Sequence, residues 1–221
     1  GITTTEGTMK AQNLILASLS FLPMFFINAF MEYVGNDYQN YYLYYRNIVS
    51  GAGQDVEITY HIISLLAAEL GLGFQGVYYI YGLINHILLL LCIRKFSGNY
   101  AVSYVLFFLN GFFFYLGLNQ IRQFTSVMLV FYAYGYIREK KPLRYLICVG
   151  LAATFHVTAA VMLPFYWILK AKWKLSTYCI VALVLAPVNL FYTEVITWLF
   201  QNFMPRYLNT NYATREFSMN I

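Results

Sequence analysis

Charge is scarce in this chain: 14 Lys and Arg and 9 Asp and Glu make up 10% of 221 residues, against 60% hydrophobic residues. So few polar side chains cannot dress a water-soluble globule of this length, so lipid must be part of its solvent. The three cysteines, Cys92, Cys148 and Cys179, sit in or beside apolar blocks with no paired spacing, which excludes a disulfide scaffold or zinc site and predicts free, buried thiols. No P-loop, dinucleotide fingerprint, low-complexity linker or internal repeat occurs, and one transmembrane domain over residues 1–221 is the simplest organisation. Nothing reads as a nucleic-acid module, and the net charge of +5 comes from basic loops between apolar blocks.

What is abundant is apolar sequence in long blocks instead of amphipathic stripes. In lipid, backbone polar groups are satisfied only by helices or a closed barrel, and these blocks suit helices. The fold expected is all-α, a polytopic transmembrane helix bundle with an outer-face loop and short interfacial or re-entrant helices. Spans are predicted at Ala11–Phe30, Phe74–Ile93, Tyr100–Leu116, Gln123–Ile137, Leu143–Phe155, Thr158–Leu169 and Leu175–Phe200. The first lacks a basic n-region beyond Lys10, so it is expected to stay in the mature protein. Several are shorter than the roughly 20 residues of a straight span, and Leu143–Phe155 with Thr158–Leu169, having no loop between them, also fit a re-entrant or kinked pair. Ile58–Gly71 carries Tyr60, His61 and Glu69 and is expected as an interfacial or half-helix.

Basic residues collect at Arg94 and Lys95, at Arg138, Lys140, Lys141 and Arg144, and at Lys170, Lys172 and Lys174. These loops are expected on the cytoplasmic side. The turns near Gly117–Arg122 and His156, and the loop Met31–Glu57, then fall on the opposite face, where most of the unusual polar residues lie.

Four stretches of that face can carry chemistry. Gly35-Asn36-Asp37-Tyr38-Gln39-Asn40-Tyr41-Tyr42 sets a turn and a carboxylate before an aromatic run. Such a run can form an interfacial belt or stack on sugar rings, and a belt needs no carboxylate. Glu57-Ile58-Thr59-Tyr60 places a carboxylate at a helix start, where it can simply complement the helix dipole. Asn119-Gln120-Ile121-Arg122-Gln123 sets a guanidinium at an outer helix end, against the usual inside bias; a planar five-donor cation suits a diphosphate, although arginine there can also snorkel. Phe155-His156-Val157-Thr158-Ala159, with Pro164 beyond, leaves an imidazole near membrane depth, costly without a partner. His61 and His86 lie inside apolar stretches with no such pattern.

In this order the four stretches resemble the EpsG family of Wzy-type polysaccharide polymerases, from the first span to about Lys174. Glu57 to Tyr60 stands where the family has a Glu-Pro-Gly-Tyr-like element. The chain has Met31-Glu32-Tyr33-Val34 where members often carry an arginine, so one phosphate contact is missing. Members usually continue with further spans, which makes this chain read as a truncated or partial member. The resemblance implies a metal-independent, cofactor-free glycosyltransferase in a bacterial plasma membrane. It would join polyprenyl-diphosphate-linked oligosaccharide units into exopolysaccharide, capsule or O-antigen on the outer leaflet, beside other polysaccharide export proteins.

Such a reaction asks for stabilisation of a departing diphosphate and for a base to accept the acceptor hydroxyl's proton. Arg122, with Arg206 from the tail, fits the first. His156 is the natural base, while Asp37 and Glu57 qualify for the same task or for orienting the imidazole. Tyr38, Tyr41, Tyr60 and Gln123 are expected to contact substrate, and the apolar helices to accept the polyprenyl tail. Two other classes use similar groups: a transporter or flippase of lipid-linked sugars, for which repeat symmetry is expected, and a membrane acyltransferase, which gives no reason for the acidic, aromatic loop.

Overall fold

The computed structural model describes residues 25–185 and 191–203, together with residues 11, 12, 15, 19, 22 and 23. The described residues form helices and no strand, so the all-α expectation holds. The predicted span Ala11–Phe30 falls partly outside them; its end, residues 25–29, is helical. Two compact units meet in sequence at Lys170, Gly1–Lys170 and Ala171–Ile221.

In the first unit the elements are α1 (Tyr38–Val49), α2 (Ile58–Glu69), α3 (Gly73–Phe96), α4 (Tyr100–Leu109), α5 (Gly111–Asn119), α6 (Ile121–Arg138), α7 (Pro142–Phe155), a 3₁₀ segment (Val157–Met162) and α8 (Phe165–Ile168). The second unit holds α9 (Leu175–Leu185) and α10 (Tyr192–Phe203). By length and composition, α3 is the described helix that meets the requirement for crossing a membrane. Its 24 residues reach about 36 Å at 1.5 Å per residue, beyond the roughly 30 Å hydrocarbon core. The other apolar segments are short: α2, α4, α7 and Val157–Ile168.

Several expected spans are broken, each for a local reason. Tyr100–Leu116 divides at Asn110, whose ψ of 84° leaves the helical region. Thr158–Leu169 divides before Pro164, whose ring removes the N–H that a continuous helix would use. Leu143–Phe155 does form a kinked pair with that segment. His156 is extended at φ −154°, the chain folds back, and the Tyr145 hydroxyl donates to the Met162 carbonyl at 2.6 Å.

One seam organises the first unit. The Asn85 amide donates to the Ile121 carbonyl at 3.3 Å, Cys92 Sγ to the Met128 carbonyl at 3.4 Å, and Lys95 Nζ to the Tyr132 carbonyl at 3.4 Å. Residue numbers rise together on both sides, so α3 and α6 run parallel. At one end of the seam Lys95 lies over the rings of Tyr132 (4.3 Å) and Tyr136 (3.9 Å) and 3.4 Å from Glu139, in a space left by Gly135. The first half of α3 instead packs on α1 and α2 through stacked rings, Tyr38 on Tyr78 and Tyr41 on Tyr60, with Tyr60, Tyr78 and Tyr81 wholly buried. Cys92 is buried as expected, but Cys148 is half-buried and Cys179 exposed; all three are free.

Asn85 is buried, and its Oδ1 accepts from the Thr125 hydroxyl at 2.6 Å while its amide serves Ile121. Asn85→Ala is expected to cost about 1 kcal/mol, the usual worth of an interhelical polar contact in an apolar bundle. Unfolding in detergent with an unchanged midpoint would show that the α3–α6 seam does not depend on this pair.

Candidate functional site

Each functional side chain arrives from a helix end, because polar residues end apolar helices here. Glu57 precedes α2, Arg122 sits in the first turn of α6, His156 separates α7 from the 3₁₀ segment, and Asp37 precedes α1. Sequence separations of 65 between Arg122 and Glu57 and 100 between Val157 and Glu57 collapse to direct contact.

Glu57 is the hub. Its side chain makes no capping bond to its own helix, so the helix-dipole explanation does not account for where it points. Oε2 accepts a hydrogen bond from Arg122 Nη1. Oε1 lies 3.3 Å from His156 Nδ1, within ion-pair reach but outside good hydrogen-bond geometry, and accepts from the Val157 N–H at 3.4 Å. The carboxylate is 6% exposed and the guanidinium 15%, so both charges are largely withdrawn from water. A withdrawn charge is tolerable only when paired and hydrogen-bonded.

The guanidinium is also caged. Its carbon lies 5.2 Å from the centre of the Tyr41 ring, 5.3 Å from Tyr60 and 5.7 Å from Tyr44. Ring faces attract the cation, and the guanidinium also hydrogen-bonds the Tyr41 hydroxyl, so the cage fixes the group by rings and hydroxyl together. Arg122 Nε is buried and meets no hydrogen-bond partner among the described residues.

Asp37 is half-buried beside this pair. Burial raises its carboxyl above the ordinary value, while the nearby charges of Arg122 and His156 pull it back. Asn119 Oδ1 accepts the Asp37 N–H at 3.1 Å. Gly35 makes that approach possible: its φ is +80°, and a Cβ there would stand 2.0 Å from Asn119 Oδ1. The Gly-Asn-Asp turn is therefore built around Asn119, a residue quoted within the α6 motif but given no role there. Its signal was its place one helix end before Arg122.

Arg122, Glu57 and His156 thus meet in one site with Asp37 beside them. Tyr38, Tyr41 and Tyr60, expected to contact substrate, are buried and packed on other rings or on Arg122. Gln123 lines an open groove of about 520 Å³ together with His156, Thr158, Ser126, Val127, Val130 and Phe131. Arg206 lies outside the described residues. Tyr44 was missed, since one tyrosine in a run of five carries no distinguishing pattern.

Two outcomes follow from this geometry. Gly35→Ala forces a left-handed backbone on an L residue and displaces Asn119, together costing roughly 2–3 kcal/mol; wild-type thermal stability would refute the constraint. Asp37 has a folded-state pKa above its unfolded one, so it favours folding below the carboxylate range and loses that contribution as pH rises through the folded value. Asp37→Asn should therefore raise the melting temperature more near pH 7 than near about pH 4. Equal shifts at both would contradict this.

The comparisons with known proteins agree with the resemblance read from the motifs. Neither a curated protein nor a solved structure matches the chain. The EpsG family model matches residues 14–221, nearly the whole chain. The chain therefore belongs to the EpsG family, a family of Wzy-like polymerases.

Proposed function

We propose that this protein joins oligosaccharide units carried on a polyprenyl diphosphate, in a multi-pass arrangement whose basic end faces the cytoplasm and whose Glu57 site faces the exterior or periplasm. Family membership supports a polysaccharide-building polymerase; the finer assignment rests on one observation, the single carboxylate of Glu57 that joins Arg122 to His156.

In this reading the acceptor hydroxyl attacks the anomeric carbon of the donor sugar, the bond from that carbon to the diphosphate oxygen breaks, and the diphosphate leaves as an anion. Arg122 stabilises the charge on that leaving group. The Glu57 carboxylate, 3.3 Å from His156 Nδ1, attracts the imidazole electrostatically and leaves Nε2 to take the hydroxyl proton. Asp37 adds negative potential that steadies the imidazolium. The groove lined by His156 and by Val127, Val130 and Phe131 of α6 suits the isoprenoid chain. Metal and cofactor play no part in this scheme. Because Glu57 already holds Arg122, an incoming diphosphate must share or displace that contact, and the tyrosine cage keeps the guanidinium in place meanwhile.

Purified protein given polyprenyl-diphosphate-linked oligosaccharide should yield a ladder of longer glycans. Arg122→Lys should reduce the rate about a hundredfold or more, since lysine lacks the planar fork, and His156→Ala should do the same. A ladder at the wild-type rate from either variant would remove that residue from its role. Movement of the substrate across a vesicle membrane without elongation would support the flippase reading instead.

A further inference from the structure

Glu57 does not reach the end of α7 alone. Two residues on, the Thr59 hydroxyl donates to the Thr154 carbonyl at 2.6 Å, across 95 positions of sequence. A threonine within a helix commonly returns its hydroxyl to a carbonyl of its own preceding turn. Thr59 stands in the first turn of α2, where no such turn precedes it, and its hydroxyl serves another element instead.

The carbonyl it meets is one that α7 itself leaves without a donor. In a continuing helix the Thr154 carbonyl would accept from the N–H of Thr158, and the N–H of Val157 would donate to Ala153. But α7 ends at Phe155, and the chain leaves as a 3₁₀ segment in which the Ala159 N–H donates to the His156 carbonyl at 3.0 Å. The break therefore offers an acceptor before His156 and a donor after it. The start of α2 answers both: Thr59 takes the Thr154 carbonyl, and Glu57 Oε1 takes the Val157 N–H at 3.4 Å.

His156 lies between these two anchors, its backbone extended and its Nδ1 3.3 Å from Glu57 Oε1. The wholly buried Tyr81 closes over the same junction. Its hydroxyl is beside Thr59, and its ring centre is 6.2 Å from those of Tyr60 and Phe155. An extended residue between a helix and a 3₁₀ segment has no regular ladder to fix it, so its place depends on the bonds made on either side.

We propose that Thr59 is a positioning residue whose hydroxyl anchors the end of α7 and so sets His156 against Glu57. Its effect on turnover rests on the polymerase reading above; its effect on the placement of His156 does not.

Two measurements on the full chain in detergent test this: the rate at which diethyl pyrocarbonate modifies His156, followed by mass spectrometry, and the kinetics of glycan elongation. Thr59→Val keeps the shape and removes the donor. It should speed modification of His156 about threefold or more, as the end of α7 opens locally. Its kcat should fall about tenfold or more while KM for the lipid-linked donor stays within about twofold, the mark of a misplaced reacting group. Thr59→Ser retains the donor and should restore both values. Lys95→Met, which removes the bond to the Tyr132 carbonyl at the other end of the α3–α6 seam, should leave both at wild type. Wild-type modification in Thr59→Val refutes the proposal, as does a loss that serine does not restore or that Lys95→Met reproduces. A Thr59→Val protein that does not fold refutes it too, by assigning the hydroxyl to the stability of the whole bundle. Should modification follow the expected order while wild type elongates no lipid-linked glycan, the placement of His156 by Thr59 stands and the polymerase reading falls.

Discussion

Arg122 can stand inside this bundle only because Glu57 stands beside it. A guanidinium withdrawn from water without a counter-charge would cost several kcal/mol, and the carboxylate would cost as much alone. Their pairing fixes where α2 enters, where α6 begins and, through the Val157 N–H and the His156 imidazole, where α7 turns back. Three elements distant in sequence are held at one point by one side chain, and the tyrosines of α1 and α2 close around the cation. Buried ion pairs add little to stability compared with a well-packed apolar core of the same volume. Keeping one here makes sense as chemistry held ready in place.

The cage shows how such a site can be both rigid and receptive. Besides the Glu57 carboxylate, three tyrosine rings lie within cation–π reach of the guanidinium and attract it through their faces. Tyr60 is locked in turn, its hydroxyl donating to the Tyr41 carbonyl at 2.7 Å and its ring stacked on Tyr41. At the far end of the α3–α6 seam, Lys95 is held by the same device, between tyrosine rings and Glu139. The two ends differ in what lies around them: exposed basic residues near Lys95, and acidic and aromatic side chains near Arg122.

Much of the site could be read from residue types at helix ends. Arg122, His156, Glu57 and Asp37 stood out because each was an ionisable group between apolar blocks, where it must find a partner. Their meeting was expected from the chemistry that the resemblance implies; residue types alone could not fix it, since register between α2, α6 and α7 depends on packing. Which tyrosines face inward could not be read for a related reason. A run such as Tyr41-Tyr42-Leu43-Tyr44-Tyr45 does not say which rings turn inward, and the helix α1 buries Tyr38 and Tyr41 while leaving Tyr42 exposed. The breaks at Pro164 and Asn110 both fall inside stretches expected as single spans, because apolar composition masks a local departure from helix.

The most direct test of the account is a double-mutant cycle on the hub, measuring unfolding free energies of Glu57→Gln, Arg122→Gln and the double variant in detergent. If one carboxylate sustains the buried cation, the two losses should fall short of additive by about 2 kcal/mol or more, the double variant being little worse than either single one. Losses that simply add would mean that Glu57 and Arg122 do not depend on each other, and the site as described would not exist.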